Sequence, residues 1–201
     1  MLGLPKATEL HKQLPKKAFY AKFQMNTAAK ERIDADISKI AIVNEISPAK
    51  VHIAEGEKVK TFFVAQVTLK KKDFDERTIA TIAKLIPQNM LLVLECKEEA
   101  KLALYHIKLM QTPWQPKESF SVELKGATLD AVWENIIIQV CGVQIESGNT
   151  LDEQLKVDDK RQMLEKEITR LDKLARKEKE PKKKFELAQQ INKIKKELEG
   201  V

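Results

Sequence analysis

Apolar residues recur along this chain in two rhythms, and the change from one to the other marks its organisation. Through Thr61–Leu69 they alternate: Phe63, Ala65, Val67 and Leu69 share one side, while Phe62 and Val64 lie on the other. Successive strand side chains point to opposite faces, so apolar residues on both sides predict a central strand. Ile37–Ile46 is rich in isoleucine and valine and predicts another strand, stopped by Ser47-Pro48. Met90–Glu95 is a short, almost wholly apolar buried strand, joined through Lys97-Glu98-Glu99 to a hairpin partner over Lys101–Met110. Ser119–Leu124 offers a further strand, after a loop in which Pro113 and Pro116 flank Trp114.

The helical rhythm appears between these strands. Asn26 or Thr27 can cap a helix running to about Asp36, because a short polar side chain accepts otherwise unpaired backbone N–H groups. Asp73 and Glu76 have capping-box spacing ahead of Ile79, Ile82, Ala83 and Ile86, and Pro87 ends that helix. Leu129, Val132, Trp133, Ile136 and Val140 describe a strongly apolar helix that packs on the sheet. The first 25 residues, with Pro5 and Pro15, predict short helices or an arm anchored by Leu10, Leu14, Phe19, Tyr20 and Phe23.

Beyond Ser147-Gly148-Asn149 the rhythm is helical to the end. Thr150 and Glu153 fit a capping box opening a long charged helix, whose roughly thirty residues would extend about 45 Å. Leu164, Ile168 and Leu171 fall at helical spacing, as do Leu187, Ile191, Ile194 and Leu198. Between the two stripes lies Lys179-Glu180-Pro181-Lys182-Lys183-Lys184, where proline cannot continue the first helix but suits the first turn of a second. The two stripes therefore predict an antiparallel, coiled-coil-like hairpin whose helices seal each other. The expected architecture is α+β: residues 1–146 form a mixed sheet of about five strands with packing helices, 147–149 a linker, and 150–201 the hairpin.

Composition narrows the function classes. The longest uncharged run, residues 135–145, is eleven long, against roughly 20 needed to span a bilayer. The start of the chain lacks the apolar stretch and cleavage site of a secretory signal. With Cys96 and Cys141 in apolar surroundings and no CxxC spacing, a reduced, cytoplasmic protein is expected. Net charge is +6, and distribution matters more than the total. Lys173, Arg176, Lys177, Lys179, Lys182, Lys183 and Lys184 face only Glu178 and Glu180 over the same stretch, a local excess of five positive charges. Such a corner suits phosphates or an acidic protein face, although charge runs also simply solubilise. A looser basic cluster comprises Lys6, Lys12, Lys16, Lys17 and Lys22.

Catalytic signatures are weak. His11, His52 and His106 have no paired ligand spacing, so no metal centre and no cofactor are expected. Cys96 and His106 could face each other across the predicted hairpin, but core packing explains Cys96 more simply. Glu95-Cys96-Lys97 mimics half of a metal-dependent nuclease site, which needs a second carboxylate to hold the ion. Lys70-Lys71-Lys72 with Lys16-Lys17 could grip phosphates, against the plainer reading of a solvated strand exit. No nucleotide-binding loop or serine-hydrolase elbow is present. Activity as an enzyme is thus the lesser expectation.

Several segments carry a resemblance in combination. They are Leu4-Pro5-Lys6, Leu14-Pro15-Lys16-Lys17-Ala18-Phe19-Tyr20, Asn44-Glu45-Ile46-Ser47-Pro48, Val67-Thr68-Leu69-Lys70-Lys71-Lys72, Leu91-Leu92-Val93-Leu94-Glu95 and Asp130-Ala131-Val132-Trp133-Glu134-Asn135-Ile136. In these words and their order the chain resembles a bacterial family, the domain-of-unknown-function family numbered 4391, over essentially its whole length. The resemblance implies a setting beside helicase and DNA methyltransferase genes, in loci like those of restriction or phage defence. It carries over no catalytic residue. The expectation is an accessory protein whose basic hairpin docks to such a partner, or to DNA held by one. A divalent-metal nuclease using Glu95 and Lys97 is the alternative, and a homodimer formed through the hairpin is a third arrangement.

Overall fold

A computed structural model describes residues 2–200; Met1 and Val201, the outer limits of the two expected domains, lie outside the described residues. The described chain divides into two compact units, one ending at Gly142 and the other beginning at Val143.

The first unit is a mixed seven-stranded sheet with helices on both faces. The strands β1 (Glu9–Gln13), β2 (Ile37–Ile46), β3 (Phe62–Leu69), β4 (Asn89–Cys96), β5 (Glu99–Tyr105) and β6 (Leu109–Gln111) lie side by side in that order. A two-residue β7 (Gln115–Pro116) also pairs with β5. The helices are α1 (Lys16–Lys22), α2 (Thr27–Asp36), the single turn α3 (Pro48–Val51), α4 (Glu76–Leu85) and α5 (Leu129–Cys141). Pairing is antiparallel throughout except between β3 and β4. A parallel pair needs a crossover, and α4 supplies it.

The period-two pattern sets which residues meet which layer. Ala65, Val67 and Leu69 of β3 join Met90, Leu92 and Leu94 of β4 in one buried cluster with Ile33 of α2 and Ile79 and Ile82 of α4. Their alternates face the other way, where the Phe62 ring lies 5.1 Å from that of Trp133 on α5. Val64, Leu91 and Val93 are fully buried on that second face. Apolar residues on both sides of β3 thus place it inside the sheet.

Caps fix where the helices begin. Asn26 Oδ1 accepts a hydrogen bond from Ala29 N at 2.9 Å, and Thr128 Oγ1 accepts from Ala131 N at 3.3 Å. For α4 the cap is Asp75, which accepts from Arg77 N at 3.0 Å, and not the earlier Asp73. Asp75 wins because its own N–H is held by buried Asp36 Oδ2 at 3.1 Å, a tertiary contact that local spacing does not contain.

Three further departures have physical reasons. Glu9–Gln13 is an edge strand, although its sequence is almost entirely polar, because an edge strand buries little. Residues 101–110 hold parts of two strands, since the chain turns back at 106–108 and Leu104 pairs with Met110. Residues 119–124 form no strand; Ser121 makes only an isolated bridge to Leu2. Among the described residues no helix is long and apolar enough to cross a membrane.

Candidate functional site

The second unit consists of two helices packed on each other, α6 (Leu151–Lys177) and α7 (Pro181–Glu199). Thr150 and Glu153 make a complete capping box: Glu153 Oε2 accepts from Thr150 N at 2.8 Å, and Thr150 Oγ1 accepts from Glu153 N at 3.4 Å. Gln154 is buried and ties the preceding turn to the helix. Its Oε1 accepts from Glu146 N at 3.1 Å and Asn149 Nδ2 at 2.9 Å, while its Nε2 donates to Asp158 Oδ1 at 3.0 Å. Ser147-Gly148-Asn149 is accordingly bonded into this unit.

The seam residues behave alike. Leu164, Ile168, Leu187, Ile191, Ile194 and Leu198 are half-buried and Leu171 is buried, whereas the intervening positions are mostly exposed and polar. An ion pair of 3.2 Å between Lys160 and Glu197 joins the two helices away from the corner.

The corner is three residues long, and Glu178 shapes it. Its Oε1 accepts from the backbone N–H groups of Glu180 at 2.9 Å and Lys179 at 2.8 Å, which holds its carboxyl below the usual range. Pro181 then occupies the first turn of α7, where a missing N–H leaves no hydrogen bond unmade. All seven basic residues of the corner are exposed. Arg176 pairs with Asp172 and Lys183 with Glu180, each at 2.8 Å. Among the described residues Lys173, Lys177, Lys179, Lys182 and Lys184 make no ion pair. Five ammonium groups therefore point into solvent around one turn. Two apolar side chains stand among them, Phe185 at 64% exposure and Leu174 at 44%. The seam pattern could have revealed both, because neither falls on its stripe.

The other sequence candidates are placed differently. Glu95 is buried at the end of β4, in a row running Lys39, Thr68, Glu95, Ala100 across the sheet. Its Oε2 stands 3.9 Å from Lys117 Nζ, and its Oε1 has no hydrogen-bond partner among the described residues. Lys97 lies in the tight turn after β4 with a φ of +57° and is exposed. No group of three or more His, Cys, Asp or Glu is placed to hold a metal ion among the described residues. Register separates Cys96 from His106: Cys96 pairs with Glu99 at the turn, while His106 follows the far end of β5. The Lys70–Lys72 run is largely engaged. Lys70 Nζ donates to Asp34 O at 2.5 Å, Lys71 stands 3.7 Å from Asp36, and Lys72 pairs with Glu99. Lys16 likewise pairs with Asp34 at 2.6 Å. Folding also brings Trp114 beside Lys72 and Lys101, 5.7 and 5.5 Å from the ring centre, a cluster with no trace in linear order.

An α+β sheet domain joined to a helical hairpin is the class these elements define. The chain belongs to the family described as Domain of unknown function (DUF4391), whose model matches residues 2–198. Neither the curated proteins nor the solved structures contain a match to it.

Proposed function

We propose that this is a cytoplasmic accessory protein that docks through the basic corner of its hairpin onto a polyanionic surface. That surface is DNA, or the acidic face of a helicase or methyltransferase encoded with it in a restriction or phage-defence locus. The observation carrying the reading is the set of five exposed lysines, Lys173, Lys177, Lys179, Lys182 and Lys184, without carboxylate partners among the described residues. Solubility alone does not require them to crowd one turn. A helical pair that seals its own apolar seam leaves the corner as the surface with unmatched chemistry.

Duplex DNA binding should fall steeply with salt, because each phosphate contact releases condensed counterions. Replacing Lys177, Lys179, Lys182 and Lys184 with alanine should flatten that slope by roughly one unit per lost contact. An unchanged slope removes DNA as the ligand. Loss of co-purification with the neighbouring gene products in the same variant then identifies a protein face.

A second reading, a divalent-metal nuclease, has the orphaned Oε1 of buried Glu95 in its favour. It rests on that one carboxylate with Lys97. Magnesium-dependent DNA cleavage that disappears in Glu95→Gln would establish it, and absence of cleavage would remove it.

A further inference from the structure

The α+β unit holds a cleft whose make-up is unrelated to the hairpin. On the sheet face carrying α1 and α4, Leu10, Leu14, Phe23, Ile42, Phe63 and Ile86 are only half-buried, although Leu14, Phe23, Phe63 and Ile86 pack against the main core. Together they line a cavity of about 310 Å³. That volume lies at the lower end of the roughly 300–1,000 Å³ range of small-molecule sites, which are typically apolar with a few placed polar groups. The floor is the sheet itself, where Phe63 and Met90 are parallel neighbours on β3 and β4. α1 contributes Ala18, Phe19 and Lys22 to the lining, and the connection between α4 and β4 contributes Ile86, Pro87 and Gln88.

Charge at the mouth is of one sign. Lys12 and Lys22 border the cleft and are exposed, and among the described residues no acidic one lines it. Lys22 Nζ stands 5.5 Å from the centre of the Phe23 ring, so its ammonium is held over an apolar wall. Residues 10–23 as a whole contain four lysines and no acid. Lys16 is turned aside to Asp34, whereas Lys12 and Lys22 make no ion pair among the described residues. An apolar body is rewarded inside, an anion is rewarded at the rim, and a cation is repelled.

We infer that this cleft binds a small amphipathic acid, a compact apolar body carrying a single anionic head, with the body against Phe63, Met90 and Phe23 and the head between Lys12 and Lys22. A neutral apolar ligand would leave both ammonium groups without a partner. Among the described residues its own unit leaves this apolar cavity open, although residues with the same alternation elsewhere on this face are closed over by α2 and α4. The site does not depend on the hairpin reading, and neither fails with the other.

Titration calorimetry of the full chain with decanoate, below its micelle threshold, tests the assignment. One saturable site is expected, with decanol at least roughly tenfold weaker because a charge-assisted contact is lost. Lys12→Gln combined with Lys22→Gln should bring decanoate down to the affinity of decanol. Ala18→Trp, at an exposed helical position on the rim, should block both ligands, with circular dichroism confirming that the variant folds. Absence of saturable binding, equal affinity for acid and alcohol, or binding unchanged by the lysine pair or by Ala18→Trp would each overturn the proposal.

Discussion

The carboxylate of Asp130, in the first turn of α5, accepts a hydrogen bond from the backbone N–H of Val59 at 2.6 Å, across 71 residues of sequence. The same carboxylate accepts from Glu57 N at 2.7 Å and Lys58 N at 3.2 Å. One helix-start acid thereby holds three successive N–H groups of the loop between β2 and β3. Asp130→Ala should leave the sheet intact and free this loop. Hydrogen exchange at Glu57, Lys58 and Val59 should accelerate together, and the melting temperature should drop. Exchange unchanged at these three amides would show that the loop is held by its bridge from Ala54 to Thr128 instead.

The same contact predicts a pH dependence. Hydrogen bonds from Val59 above all, and also from Lys58 and Glu57, hold the Asp130 carboxyl below its usual range. A depressed acid contributes stability that is fully present above its unfolded value, near about pH 4, and lost as pH falls through the lower folded value. Thermal melts from pH 6 downward should therefore steepen below about pH 4 in the native protein. Asp130→Asn should flatten that part of the curve. An identical acid limb in both proteins would place the sensitivity in other carboxylates.

Gly56 is where this clamp constrains sequence. A Cβ built there would lie 2.3 Å from Asp130 Oδ1 and 2.7 Å from the Asp130 backbone nitrogen. The backbone cannot yield as a flexible side-chain tip could. Gly56→Ala should cost about 1–3 kcal/mol, the range for forced overpacking, as read by urea denaturation. Recovery of that stability in Gly56→Ala combined with Asp130→Ala is not expected, because the backbone clash persists.

How much of this was legible beforehand depends on the range of the interaction responsible. The faces of β3, the start of α2 at Asn26 or Thr27, the capping box of Thr150 and Glu153, and the turn at Pro181 follow from neighbours within four residues, so periodicity and capping rules locate them. The Asp130 clamp, the displacement of the α4 cap from Asp73 to Asp75, and the gathering of Lys72 and Lys101 around Trp114 are all long-range. Linear order records nothing of them. Polar edge strand β1 escaped for another reason: strand patterning reports burial, and an edge with little burial leaves little pattern. Glu178 is legible only in part. Its charge counted against the basic corner in the sequence, but its use as a backbone acceptor depends on the turn it helps to make.

The seam of the hairpin predicts a contrast within one helix. Leu171 is 4% exposed and Leu174, one turn on, is 44% exposed. Leu171→Ala should cost about 2–5 kcal/mol of hairpin stability, the usual range for a buried leucine, through lost burial and the cavity left behind. Leu174→Ala should stay within about 0.5 kcal/mol, as for other exposed sites. Thermal melts followed at the helical signal distinguish the two. Equal effects would mean that the helices do not meet along this stripe.

Glu178 separates two explanations of the corner. If Pro181 alone sets the turn, removing the carboxylate changes only charge. If the bonds to Lys179 and Glu180 set it, Glu178→Ala should speed exchange at those two amides and fray the first turn of α7. Glu178→Gln, which retains an acceptor oxygen, should protect them partly. Both variants remove one negative charge from the corner, so both should strengthen any salt-dependent DNA binding. A gain in binding from Glu178→Gln but not from Glu178→Ala would show that DNA requires the ordered turn as well as its charge, because only the glutamine variant has both.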